Sequence, residues 1–281
     1  MNKQPLVSVV MPVFNRAACL ENVIDAFLKE KETLCPDMEI IVIDGGSKDG
    51  SAGILEKYAS RLAYWVSEPD KGPGDAFRKG VLASRGRYIR YFAADDELVL
   101  GSTPKLVQWL EENPEYDIVS GQLESLRVLP DGSRKPRPVA IHRGHATAAR
   151  LREPNRNGFI CPETCVMRKT IFSRAGYWDD GFGILCDLEF FIRVLKKGGK
   201  IYSVSDMVMV KLWREDSLTT RFEKKSIRDG AEVIRHHYGF FWGFKYWLAG
   251  NFPALHQRLE AVMDLMRRAA ASGRRVFQSK A

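Results

Sequence analysis

Two periods of apolar residues interleave along the first hundred positions. Continuous apolar runs recur over 6–13, 38–43, 62–67 and 88–93, as expected for strands buried on both faces. Between the first two, Leu20, Val23, Ile24, Phe27 and Leu28 recur at i, i+3, i+4, i+7 and i+8, one face of a helix that Asn15 is placed to cap. Helices are predicted again over 51–58 and 75–83. Four strands alternating with three helices predict a parallel α/β sheet with right-handed crossovers. The strand ends Asn15, Asp44, Glu68, Asp70 and Asp95 then share one edge, and sheets of this kind bind ligands at the carboxyl ends of their strands.

Past Asp96 the pattern mixes strands with helices. Pro104 suits the first turn of a helix that Asn113-Pro114 stops, and Pro130-Asp131-Gly132-Ser133 reads as a hairpin turn. Residues 142–160 are polar and irregular, and a strand is predicted over 161–167, then a short helix closed by Gly176. A helix over 187–197 turns Phe190, Phe191, Val194 and Leu195 inward and ends at Gly198-Gly199. A clean α/β half over 1–100 thus precedes a mixed half over 101–220, where a second substrate is expected. No internal repeat interrupts it.

Composition narrows the class. A chain of 281 residues, 45% hydrophobic and 28% charged, is a folded globular protein, and no apolar run reaches the length of a membrane span. Met1-Asn2-Lys3-Gln4-Pro5 has no apolar leader region, and five scattered cysteines (Cys19, Cys35, Cys161, Cys165, Cys186) favour a reducing, cytoplasmic setting. Of 43 Lys/Arg and 35 Asp/Glu, 12 and 5 fall from Arg221 onward, so that stretch holds +7 of the net +8. Tyr238, Phe240, Phe241, Trp242, Phe244, Tyr246 and Trp247 crowd there beside Arg235, His236, His237 and Lys245. Farther on, Leu255, Leu259, Val262, Met263 and Met266 mark an apolar helix face flanked by Arg258, Arg267 and Arg268. Two readings stand: the extension docks on an anionic membrane surface, the protein being peripheral at the inner face of the cytoplasmic membrane, or its aromatics pack on the body or on a dimer mate. No nucleic-acid module is recognisable, so nucleic acid is not expected as a partner.

Four motifs fall in order at the predicted strand ends: Ser8-Val9-Val10-Met11-Pro12-Val13-Phe14-Asn15-Arg16, Ile43-Asp44-Gly45-Gly46-Ser47-Lys48-Asp49-Gly50-Ser51, Ser67-Glu68-Pro69-Asp70-Lys71-Gly72 and Ala93-Ala94-Asp95-Asp96-Glu97. Together they resemble the successive signatures of glycosyltransferase family 2, strongly over the first hundred residues and weakly to residue 220. The resemblance implies an inverting, metal-dependent enzyme with a GT-A fold, an α/β, mostly parallel sheet flanked by helices. Residues 1–220 would form that domain, with a nucleotide-sugar half over 1–100 and an acceptor half over 101–220. Residues 221–281 would add a basic, aromatic helical extension. The donor would be a UDP- or dTDP-type sugar. The acceptor would be a glycan or a lipid-linked acceptor of bacterial surface polysaccharide or glycolipid synthesis.

Carried over residue by residue, the resemblance gives donor contacts to Pro12, Val13, Asn15, Arg16, Asp44, Gly45, Asp70, Lys71 and Arg78. Asp44 would read the base, although Gly45-Gly46-Ser47 is also turn chemistry. Asp49 is read as the cap of the following helix. Arg78 stands where relatives often carry Asn, and its fork would suit diphosphate oxygens. Asp96 would hold Mg²⁺ or Mn²⁺ and Asp95 would contact ribose or the same ion. Ala94 occupies the place of the first Asp of the full motif, which leaves that allocation open. Cys186-Asp187-Leu188-Glu189 resembles the segment carrying the catalytic base. Asp187 and Glu189 do not share a helix face, and the resemblance favours Asp187. Arg214 falls in a segment where relatives have a loop over the donor.

Pro162-Glu163-Thr164 reads as acceptor-pocket wall, which is preferred to a zinc site built from His142, His145, Cys161 and Cys165. The remaining alternatives are a sugar nucleotidyltransferase, against which the first strand's glycine-free turn counts, and a nucleotide-sugar-binding scaffold without turnover.

Overall fold

A computed structural model of the protein describes residues 4–139, 141–152, 159–215 and 223–251. Strands β1 (Val7–Val13), β2 (Met38–Asp44), β3 (Tyr64–Ser67) and β4 (Tyr88–Tyr91) are parallel in the order β3-β2-β1-β4. Helices α1 (Ala17–Thr33), α2 (Ser51–Tyr58) and α3 (Pro73–Ala83) connect them. The alternation of apolar runs and helical faces therefore produces the expected half-sheet. Val13 pairs with Asp44 and Asp44 with Ser67, so three strands end level. α3 starts at Pro73, two residues earlier than the apolar period indicated, because proline's fixed φ and missing N–H suit a first helical position.

The second half extends the same sheet. It contains β5 (Glu97–Leu98), α4 (Ser102–Glu112), β6 (Ile118–Val128), β7 (Arg134–Pro136), β8 (Gly144–His145), α5 (Ala148–Leu151), β9 (Cys165–Arg168), α6 (Thr170–Ala175), α7 (Cys186–Lys196) and β10 (Ile201–Trp213). Beyond β4 the order runs β9-β6-β10-β5, with β9 antiparallel to both β4 and β6, and β10 parallel to β6. The predicted strand over 161–167 begins only at Cys165. Pro162 lacks a ladder donor and sits in a 3₁₀ turn (Pro162–Thr164) that ends where the strand begins.

Alternation along the strands divides the core into two faces. Val9 and Met11 join Tyr88, Phe92, the apolar face of α1, and Leu106, Val107 and Leu110 of α4. Val10, Ile89 and Tyr91 face the other way, onto Phe77 and Val81 of α3, Phe172 of α6 and Phe190 of α7. Helix α8 (Glu223–Tyr238) buries Val233 and Ile234 on this second face, and α9 (Phe240–Asn251) packs against α8. Among the described residues no helix is long and apolar enough to cross a membrane. The apolar stretch containing Leu255, Leu259, Val262, Met263 and Met266 lies outside the described residues.

Candidate active site

The ends of β1 and β2 are laced together through the loops that follow them. Asn15 is the only described non-glycine residue at positive φ, 52°. Its N–H donates to Ser47 Oγ at 2.7 Å, and its Oδ1 accepts from Lys48 N at 2.9 Å. The expectation that Asn15 caps α1 is therefore corrected: its side chain is spent on the neighbouring loop. The first amide of α1, Ala17 N, donates instead to Asp49 Oδ2 at 2.8 Å. The same carboxylate accepts Ser51 N at 3.0 Å at the start of α2, so one residue serves two helix starts. Burial pushes against its charge, but these hydrogen bonds outweigh that and hold Asp49 below the usual carboxylate range.

Asp44, at the end of β2, is fully buried. Its carboxylate accepts from Ser47 N at 3.0 Å, from Ser67 Oγ at 2.5 Å and from the Ser47 hydroxyl. Gly45 N donates to Val13 O at 2.9 Å, and a Cβ on Gly45 would stand 2.5 Å from Asp70 Oδ2. A glycine at 45 thus lets the Asp70 carboxylate cover the backbone. Burial raises the pKa of Asp70, and the negative charges of Asp75 and Asp44 add to it, against the Gly72 N–H and Lys79. Pro12 is half-buried and Val13 buried, whereas Lys71 and Arg78 are exposed. The Arg78 guanidinium lies 5.8 Å from the Tyr177 ring centre.

The other carboxylates converge just past β4. Arg16 Nε contacts Asp95 Oδ2 at 3.1 Å, and Arg214 donates to the Asp95 carbonyl. Asp96 is only 3% exposed, and its Oδ1 accepts Leu212 N of β10 at 2.9 Å. Lys211 Nζ stands 3.4 Å from Asp96 Oδ2 and 3.1 Å from Glu163 Oε1. Cys161 Sγ donates to the second Glu163 oxygen at 2.7 Å. Asp187, in the first turn of α7, accepts Leu188 N at 2.8 Å. Burial pushes Asp187 up to about 7, opposed by the Leu188 N–H and seconded by the Glu163 charge. Burial also pushes Asp96 up to about 7, with Lys211 pulling down and Asp95 and Glu163 pushing up. Burial is the largest influence on Glu163 and pushes it up, but the Lys211 charge and the hydrogen bonds from Cys161, the backbone and Lys211 together hold it below its usual range.

Lys211 and Glu163 thus connect Asp95 and Asp96 electrostatically with Asp187. Glu189 faces away, paired with Arg193 Nη2 at 2.7 Å and with His237 Nε2 at 3.2 Å. Sequence reasoning missed Lys211, whose signal is a single cation inside the apolar stretch Val208, Met209, Val210, Leu212, Trp213. It also read Glu163 only as pocket wall.

The residues present fit a divalent cation of the magnesium or manganese type. Such ions take one or two carboxylates and complete their shell with phosphate and water. Asp95 and Asp96 are adjacent, and with Leu212 N on Asp96 Oδ1 the second oxygen, Oδ2, already faces a cation, the Lys211 ammonium at 3.4 Å. Among the described residues no group of three or more His, Cys, Asp or Glu could hold an ion, so protein ligands alone do not complete a shell.

The C-terminal helices close one side. Asp229 of α8 accepts Ile184 N at 3.3 Å, and its carboxylate covers Gly183, where a Cβ would stand 2.3 Å from Asp229 Oδ2. Burial pushes the Tyr246 hydroxyl up to about 12, and the charge of Asp187 adds to it, which puts α9 within electrostatic reach of the cluster. Trp242 and Tyr246 pack inward, and the Arg152 guanidinium stacks 3.7 Å from the Trp242 ring centre. Phe240, Phe241, Phe244 and Trp247 remain exposed, at 77, 60, 49 and 38%.

A sequence profile described as glycosyl transferase family 2 matches residues 8–176, more than half of the 281-residue chain. The chain belongs to that family. It is similar to a glycosyltransferase of PGL/p-HBAD biosynthesis from Mycobacterium tuberculosis, with 26% identity over 67% of this chain and 69% of the relative. EpsJ, an uncharacterized glycosyltransferase of Bacillus subtilis, is 35% identical over 41% of this chain and 33% of its own length. Among solved structures, S. aureus TarS 1–349 in complex with UDP-GlcNAc aligns with a TM-score of 0.62 at 16% identity, covering 88% of this chain and 73% of the other. The mannosyltransferase PcManGT of Pyrobaculum calidifontis, in complex with GDP-Man and Mn²⁺, aligns at 0.61 with 15% identity, covering 94 and 81%. At these identities the two structures establish the GT-A fold. This family 2 protein is accordingly a glycosyltransferase.

Proposed function

We propose that this glycosyltransferase moves a sugar, with inversion, from a UDP- or dTDP-type donor to an acceptor hydroxyl, using Asp187 as general base. The observation that carries the reading is the Asp96–Lys211–Glu163 contact with Asp187 in electrostatic range, all at the edge where the donor-half strands end. The loops after β1, β2 and β3 and the start of α3 form the donor side in this reading, with Arg16 fixing Asp95 and Arg78 free to meet diphosphate oxygens. Asp44 offers no exposed surface. It acts on the base pocket by holding the Ser47 and Ser67 hydroxyls, and direct contact with a base would require them to turn away.

Asp96 and Asp95 would hold Mg²⁺ or Mn²⁺. When bound, the ion supplies positive charge for the departing nucleoside diphosphate. Asp187 takes the acceptor proton as that oxygen attacks the anomeric carbon from the face opposite the leaving group. A pKa near 7 suits a base at neutral pH better than an unperturbed carboxylate does. The second half, including the Glu163 turn, supplies the acceptor pocket. Glycan or lipid-linked acceptors of bacterial surface synthesis are favoured by the mycobacterial relative and by the basic extension. Residues 221–281 would hold the protein on the cytoplasmic leaflet through the exposed aromatics of α9.

The test is release of nucleoside diphosphate from purified protein with a panel of nucleotide sugars, Mn²⁺ and acceptor extracts. Turnover is expected for a uridine or thymidine donor, and Asp96→Ala should lower it at least a hundredfold. No release from any donor, or full activity of that variant, would refute the assignment.

A further inference from the structure

One charged side chain in the site has no assigned part. Lys211 lies on β10, its side chain 14% exposed, between two carboxylates that belong to different halves of the chain. Leu212 N occupies Asp96 Oδ1, so Oδ2 is the oxygen left to meet an external cation, and it is Oδ2 that Lys211 faces. The formal charges of Asp95, Asp96, Glu163 and Asp187 are set against those of Arg16, Lys211 and Arg214, which leaves the cluster at only −1. A divalent cation arriving alone, with the ammonium only shifted onto Glu163, would leave the buried cluster at about +1. Arriving with a diphosphate, it brings at least two compensating negative charges.

We propose that Lys211 is a built-in counter-ion of Asp96, displaced toward Glu163 when a divalent cation binds, so that the cation enters in company with the nucleoside diphosphate. This inference rests on the reading that Asp96 is a metal ligand. The 3.1 Å contact to Glu163 gives the ammonium somewhere to go without leaving its buried site. β10 is suited to aim it: a register shift between Ser203 and Met209 bends the strand just ahead of Lys211. Gly121 on β6 makes room for that bend, since a Cβ there would stand 2.3 Å from Val208 Cγ1. Lys211 acts here through Asp96 and is a positioning residue.

Coupling of this kind is reciprocal, so it can be read from metal affinity alone. Mn²⁺ binding is measured by electron paramagnetic resonance on the wild-type protein, with and without saturating UDP, dTDP or GDP. The Kd for Mn²⁺ should fall at least tenfold with whichever nucleotide binds. Lys211→Gln should bind Mn²⁺ alone about tenfold more tightly than wild type, a modest share of what removing a unit charge a few ångströms away can give. Its nucleotide coupling should shrink accordingly. Glu163→Gln leaves the ammonium to Asp96 alone and is nearly isosteric, so it should move both quantities the opposite way, and it carries the variant test if Lys211→Gln does not fold. A lysine that merely tied two strands together would not give changes of opposite sign. Equal wild-type affinity with and without every nucleotide overturns the proposal, as does a folded Lys211→Gln that binds Mn²⁺ no more tightly. Mn²⁺ binding unchanged by Asp96→Asn would overturn the metal reading itself, a result distinct from the other two.

Discussion

Asp187 owes its raised pKa first to burial, which the Glu163 charge reinforces and the Leu188 N–H and Lys211 oppose. Its folded pKa is raised, so the protonated form is the one the fold prefers. If it is the base, kcat/KM should fall about tenfold per pH unit below about 7 and level off above. Asp187→Asn should cost roughly 10²- to 10⁴-fold in rate at pH 8. The same variant should melt a few degrees higher than wild type at pH 8, with the gain fading as pH falls through 7 toward 4, because the wild-type carboxyl then protonates in the folded state. A variant without that pH-dependent gain would show that the raised pKa is absent. Asp187 was singled out in the sequence because a motif surrounds it. Lys211 was not, since one lysine among apolar strand residues carries no periodic signal and its partners lie 48 and 115 positions away.

Elements were legible where one period ran unbroken. The face of α1 carrying Leu20, Val23, Ile24, Phe27 and Leu28 is buried as its spacing requires. Boundaries slipped where proline chemistry competed, at Pro73 and Pro162. A buried polar tie hidden inside β4 went unread. Arg90 is fully buried, donates to Ser102 Oγ at 3.0 Å and Thr103 Oγ1 at 2.5 Å, and packs 5.7 Å from the Phe27 ring centre. Thr103 in turn donates to the buried Glu30 of α1, whose carboxylate also accepts Gly101 N at 2.7 Å. This tie fixes α1 and the start of α4 against β4, immediately before the Asp95-Asp96 turn. Removing one partner leaves Glu30 uncompensated, so Arg90→Leu should lower unfolding free energy by about 3 kcal/mol, measured by urea titration. A loss under about 1 kcal/mol would mean that the network is incidental.

At the scale of the molecule, net positive charge is concentrated toward the C-terminal end, and a run of exposed aromatics lies there as well. Phe240, Phe244 and Trp247 recur at i, i+4 and i+7 with ring centres 6.3 and 5.9 Å apart, forming one stacked exposed stripe on α9. The two sequence readings of these aromatics were not exclusive, for Trp242 and Tyr246 pack on the body while the stripe faces outward. Under the membrane reading, replacing Phe240, Phe244 and Trp247 with serine should abolish co-sedimentation with vesicles containing anionic phosphatidylglycerol. Stability should change by only about 0.5 kcal/mol per site, as at other exposed positions. Retained vesicle binding would exclude the stripe as the anchor.

The sheet itself is one continuous layer across both halves, and β9 is what makes it so. That strand lies between β4 and β6 but follows both in the chain, so during synthesis the first hundred residues emerge with the edge of β4 unpaired until residue 168 has been made. An open edge beside the apolar β1 is a template for pairing with another chain. The nascent protein is therefore exposed to misassembly over the interval between its first hundred residues and β9. A ribosome pausing between these two points would lengthen that interval, and a chaperone covering β4 would shorten its consequences.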